Sequence, residues 1–75
     1  MNTVYSISKN VLIIDDNQVL LTYGITAFDE NGTAVSEFRD VSVSRSFTER
    51  VIKLLNDCRV ELCHFYDVVL DELNR

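Results

Sequence analysis

His64, Asp67 and Asp71 follow one another at helical spacing, and an imidazole beside carboxylates is an arrangement that supports acid–base work or part of a metal site. Spacing alone stops short of a site. Metal binding takes three or four convergent ligands and catalysis takes a pocket, and one helix face supplies neither. These residues therefore read as a solvated helix face with a local His–Asp hydrogen bond. Cys58 and Cys63 match neither C-x-x-C nor a zinc-finger pattern, and they read as reduced, mostly buried thiols without a redox role. Cys63 and His64, adjacent on a helix, point about 100° apart and do not meet as nucleophile and base.

Two acidic stretches could suggest a cation. Asp15-Asp16-Asn17 and Asp29-Glu30-Asn31-Gly32 both lack the ligand spacing and closing glutamate of a calcium loop, and both read as turns. No phosphate-cradling, nucleophile-elbow or zincin motif occurs in a chain with 2 glycines. The expectation is a protein with no catalytic residue, no cofactor and no metal. A small enzyme or metal-dependent protein built on His64, Asp67 and Asp71 stands as the alternative.

The elements that would position these residues fall into two periods. Up to Arg45 apolar residues tend to alternate in twos, and from Ser46 onward they recur every three or four. Val19, Leu21, Tyr23, Ile25 and Ala27 point one way and Gln18, Thr22, Gly24 and Thr26 the other, which is a half-buried strand. Asn31-Gly32 then turns the chain into Thr33–Phe38 as a hairpin. The alternation slips at Arg39-Asp40, where a bulge or bend would restore the apolar face. Upstream, the segment from Tyr5 to Ile14 is rich in Val and Ile and is closed by the polar turn at 15–17.

Ser46 with Glu49 has the form of a capping box that opens a first helix. Phe47, Val51, Leu54, Leu55 and Cys58 make its buried stripe. After a break near Arg59-Val60, a second helix from about Glu61 to Leu73 carries Leu62, Phe65, Tyr66, Val69 and Leu73 on its apolar face, with Cys63 and Leu70 widening it. Val68 falls on the opposite side.

The fold class expected is α+β. A three-stranded antiparallel meander is followed by a C-terminal helical hairpin packed on one face of the sheet, in a single domain over residues 1–75, strand-rich to 45 and helical from 46. The expected core contains Val19, Leu21, Tyr23, Ile25, Val41, Phe47, Val51, Leu54, Leu55, Leu62, Phe65 and Val69.

A chain of 75 residues buries only about 60% of the surface its unfolded form exposes, and self-association is the stabilising device its composition fits best. A formal charge of −5 counts against nucleic acid, whose phosphates require clustered Lys and Arg. Arg45, Arg50, Lys53 and Arg59 make the middle of the chain locally basic, but Glu49 and Asp57 dilute it. A nucleic-acid-binding regulator is therefore a further alternative that the charge balance disfavours. The apolar runs Val11–Ile14 and Val68–Leu70 fall far short of the roughly 20 residues that span a bilayer, and the first residues lack the pattern of a signal peptide. A cytoplasmic protein with no membrane contact is expected.

Tyr23-Gly24-Ile25, the acidic-Asn-Gly turn at 29–32, Asp40-Val41-Ser42 and His64-Phe65-Tyr66-Asp67-Val68-Val69 together resemble a family of short proteins of unknown function from Gram-positive, spore-forming bacteria. The resemblance runs from about Tyr5 to Leu73. It implies a strand-then-helix order and a bacterial cytoplasmic setting, and it carries no activity or cofactor.

The function expected is a non-enzymatic protein-interaction module, a regulator or adaptor that binds another protein or a second copy of itself. Two surfaces suit that role. One is the open sheet face through Leu20, Phe28 and Phe38, if the segment Met1–Lys9 does not cover it, and the other is the last helix through Tyr66, Val68 and Leu70.

Overall fold

The computed structural model describes residues 2–75. Strands β1 (Val4–Asp15), β2 (Gln18–Phe28) and β3 (Ala34–Ser42) are followed by helix α1 (Arg45–Asp57), a 3-10 turn (Leu62–His64) and helix α2 (Phe65–Leu73). The strands form one antiparallel sheet in the order β1-β2-β3, and both helices pack on it. This is the expected α+β meander with its C-terminal helical pair. The N-terminal segment does not cover the sheet, because it is itself the edge strand β1.

Both hairpin turns are made by the residues whose chemistry suits them. Asp15 Oδ1 accepts from the Asn17 amide at 2.9 Å. Asp29 Oδ1 accepts from the amides of Asn31 at 2.9 Å and Thr33 at 3.0 Å, while Gly32 takes φ 79°, the left-handed conformation glycine adopts without steric cost. The bulge expected near Arg39-Asp40 is present: the register jumps from Tyr23↔Ser42 to Ile25↔Phe38, and Asp40 takes φ 54°. Its consequence for Phe38 differs from expectation. Directly opposed residues share a face, so Phe38 lies with Ile25 on the helix side, packed against the core, and not on the open face.

Helix α1 starts two residues earlier than the apparent capping box. Ser44 is the N-cap, its hydroxyl accepting from the Phe47 amide at 3.2 Å, and Glu49 instead takes Arg45 at 2.6 Å. At the other end Arg59 stands at φ 49°, with Val60 N–H bonded to Leu55 C=O at 3.0 Å and Arg59 N–H to Asn56 C=O at 3.2 Å. That is a Schellman ending, with arginine where glycine is usual.

The core is Tyr5, Ile25, Ala27, Val41, Val51, Leu55, Phe65 and Val69. Phe47 and Leu62 are partly buried around it, and Tyr23 and Leu54 are also only partly buried. Val19 and Leu21 are not core at all: they are 68% and 45% exposed. They point to the expected side, but the helices cover only the Tyr5–Ala27 end of it. Cys58 and Cys63 are both exposed, contrary to their reading as buried thiols. Val68 packs against the core. The 3-10 turn advances each residue by about 120° where an α-helix advances it by about 100°, which rotates the helical face inferred from Leu62 onward.

Candidate functional site: an uncovered two-stranded ribbon

Strand β1 runs 12 residues and β2 11, and they pair from Val4↔Phe28 to Asp15↔Gln18. At about 3.3 Å per residue β1 spans roughly 40 Å, and the molecule is 44 Å along its longest axis. Strand β3 pairs with β2 only from Phe28 back to Tyr23. Beyond Tyr23 the β1–β2 hairpin continues alone. Seven large apolar residues sit on this ribbon with more than a third of their surface exposed: Val11, Leu12, Ile13, Ile14, Val19, Leu20 and Leu21, with Ile13 at 80%. The pairs Val11↔Leu21 and Ile13↔Val19 lie on the helix side of the sheet and Leu12↔Leu20 on the other, so both faces are apolar.

An isolated two-stranded hairpin is marginal in water. Fully burying a side chain of this kind is worth about 1.5–3 kcal/mol at roughly 25 cal/mol per Å². The seven keep between 37% and 80% of their surface exposed, an apolar surface shared between the two faces of the ribbon, and exposed apolar surface of this kind is often functional.

The two anticipated surfaces fare differently. Leu20 belongs to the ribbon. Phe28 is paired with Val4 at the far end of the open face, and between these apolar pairs lies a polar stretch of Ser6↔Thr26, Ser8↔Gly24 and Asn10↔Thr22. That stretch is closed by the bulge. Thr22 Oγ1 donates to Asp40 Oδ1, Asn10 and Thr22 are buried, and Ser8 Oγ and Asn10 Nδ2 are enclosed without a hydrogen-bond partner among the described residues. The open face is thus not a continuous apolar surface. On the last helix, Tyr66 packs its ring on Phe38 with centroids 4.8 Å apart and donates its hydroxyl to Glu37 C=O while staying 48% exposed, Leu70 is 45% exposed, and Val68 turns inward against the core. Sequence reasoning missed Val11 to Ile14 as surface residues; a twelve-residue strand preceding a shorter third strand was the available sign.

His64 does not gather Asp67 and Asp71 into a ligand group. It closes the 3-10 turn, where its ring, the Cys63 thiol and the Glu61 carboxylate bring ligand atoms within 4.8 Å of one another, all exposed. The basic residues are partly neutralised. Lys53 meets Asp57 at 2.7 Å and Arg45 meets Glu49 at 2.6 Å, contacts that raise the pKa of each cation, and the Arg50 guanidinium lies 5.8 Å over the Phe47 ring.

Fold and ribbon together define a small α+β protein whose most distinctive surface is an apolar β-arm. Over residues 1–75 the chain matches the profile of DUF6514, a family of unknown function, and it belongs to that family. No significant match is found among curated proteins or among solved structures.

Proposed function

We propose that this protein is a non-enzymatic interaction module, a small regulator or adaptor, and that the Val11–Leu21 ribbon is its docking element. The observation that carries the reading is the apolar surface on both faces of a hairpin that, among the described residues, no other element covers. Docking would bury that surface and turn a marginal ribbon into part of a larger sheet. A cytoplasmic setting in a Gram-positive, spore-forming bacterium belongs to the same proposal. It is supported by the resemblance carried by the motifs at 23–25, 29–32, 40–42 and 64–69, and by two unpaired thiols of the kind a reducing compartment preserves.

Ile13→Asp and Leu20→Asp test the reading, since both side chains are exposed and their replacement leaves the core intact. Light scattering, and partner capture compared between wild type and variants, should show association lost with the circular dichroism unchanged. Association of every kind persisting in both variants overturns it.

A second reading, a metal-dependent protein, has one observation in its favour: the Glu61, Cys63 and His64 donors converge on a single turn. Carboxylate, thiolate and imidazole are all zinc ligands, and three of them leave a fourth position open. A cobalt(II) titration discriminates. A thiolate-to-cobalt absorption band that disappears in Cys63→Ser and His64→Ala supports this reading, and its absence in the wild-type protein removes it.

A further inference from the structure

The connection between α1 and α2 sorts its residues by side. Leu62 packs against the core, and Phe65 is fully buried with its ring centroid 4.9 Å from that of Tyr5. Glu61, Cys63 and His64 are exposed. A 3-10 turn sets residues i and i+3 on one edge, so Glu61 and His64 align, and the bond from His64 N–H to Glu61 C=O at 2.9 Å closes the turn between them. With Leu62 and Phe65 fixed in the core, the turn offers its three donors to solvent as a group.

The donor set selects a class of cation. Carboxylate oxygen, thiolate sulfur and imidazole nitrogen together suit zinc and other borderline divalent ions, whereas magnesium and calcium take oxygen ligands. Bonds of about 2.0–2.3 Å to a tetrahedral centre set donors roughly 3.5 Å apart. Cys63 Sγ lies 3.9 Å from Glu61 Oε2, and the imidazole is within 4.8 Å of both. Rotation of exposed side chains closes differences of that size. The thiol donates toward the carboxylate, and zinc takes the place of its proton, which passes to solvent. Three protein donors leave the fourth position to water, and a cleft of about 280 Å³ lined by Thr3, Glu61, Leu62 and Cys63 opens beside the group.

We infer that a zinc-class cation held by Glu61, Cys63 and His64 clasps this turn and thereby fastens the N-terminal end of β1 to the helical pair, a role that rests on the metal-dependent reading above. The route is short. Tyr5 donates its hydroxyl to Val60 C=O at 2.7 Å, one residue before Glu61, and its ring rests on Phe65, one residue after His64. Thr3, just before β1, lines the same cleft as Cys63. The donors are thus bracketed by two contacts to one β1 residue, and a cation that stiffens the turn stiffens both. Coupling of this kind is reciprocal: by whatever factor the folded turn tightens the cation, the cation favours the folded turn. Because all three donors lie between 61 and 64, the unfolded chain keeps part of the affinity, and the gain is smaller than for a site joining distant elements.

Hydrogen exchange on the intact protein tests the clasp. Saturating zinc should slow exchange of the His64 and Tyr5 amides about tenfold and raise Tm by a few degrees. A chelator should reverse both effects and magnesium should cause neither. Cys63→Ser and His64→Ala, at exposed positions whose replacement leaves the core intact, should abolish both. Unchanged exchange in a protein that gives the thiolate-to-cobalt band overturns the clasp and spares the metal site. Slowing at His64 alone overturns the link to β1, and slowing that survives in Cys63→Ser puts the ion elsewhere and overturns the clasp. A protein with neither a cobalt band nor a response to zinc overturns the clasp together with the reading beneath it.

Discussion

Asn56 pairs with Tyr5 as a neighbouring strand would: its side-chain Oδ1 accepts the Tyr5 amide at 2.9 Å and its Nδ2 donates to the Tyr5 carbonyl at 3.0 Å. Fifty-one residues apart in sequence, they join the C-terminal half of α1 to the edge of the sheet and end the open edge there. Asn56→Ala removes both bonds and leaves a backbone amide and carbonyl of a buried residue to find other partners. At about 1 kcal/mol per bond the loss should be about 1–2 kcal/mol, or roughly 4–15 °C in Tm for a domain of this size. Hydrogen exchange at the Tyr5 amide reads the same contact site-specifically, and unchanged protection in Asn56→Ala would refute it.

Gly24 is required by a close approach. A Cβ at this position would stand 2.7 Å from Phe38 C=O, 3.0 Å from Ser8 Oγ and 3.1 Å from Asn10 Nδ2. The first neighbour is backbone at the β3 bulge and cannot rotate away. Gly24→Ala should cost about 1–3 kcal/mol through overpacking, more than the small gain in strand propensity returns. A denaturation midpoint equal to that of the wild type would show that the bulge yields freely.

Arg59 holds the left-handed position of a Schellman ending at φ 49°. Left-handed backbone costs a residue with a Cβ about 1–2 kcal/mol, and glycine escapes this cost while losing more entropy on folding. Arg59→Gly should therefore stabilise the protein by about 0.5–1 kcal/mol, seen as a rise in Tm of a few degrees. Arg59→Val, β-branched at the same φ, should lower it.

Local chemistry was legible in the sequence, and extent was not. The alternation from Val19 to Ala27, the turn residues at 15–17 and 29–32, and the slip at Arg39-Asp40 gave the meander with its turns and bulge in place. How far β3 runs beside β2 is set by where the bulge releases the chain into Ser44, and nothing in the periodicity measures it. So Val19 and Leu21 read as core while lying beyond the cover. Ser44 and Ser46 are both fit to cap a helix. Ser44 does so where Ser42 Oγ accepts its amide at 2.9 Å and its own hydroxyl faces the Phe47 amide. A side-chain contact across 51 residues, such as Asn56 with Tyr5, leaves no periodic trace.

Tyr5 joins burial to titration. It is 2% exposed, its ring centroid lies 4.9 Å from that of Phe65, and its hydroxyl donates to Val60 C=O at 2.7 Å. Burial raises its pKa above the ordinary 10.0, and charge on the nearby Cys63 thiol raises it further. Because the folded-state pKa lies above the unfolded one, the folded protein retains this proton where the unfolded chain has released it. The associated stability is fully present below about pH 10 and is lost as pH rises through the folded value. Tyr5→Phe should cost about 0.5–1.5 kcal/mol at neutral pH, for the lost bond to Val60, and should flatten the decline of stability above pH 10. Cys63→Ser should leave most of that decline in place, since burial is the larger cause. Chemical denaturation of the three proteins across pH 8–11 measures this, and a Tyr5→Phe curve parallel to the wild type would show that Tyr5 ionises in the folded state as it does in the unfolded chain.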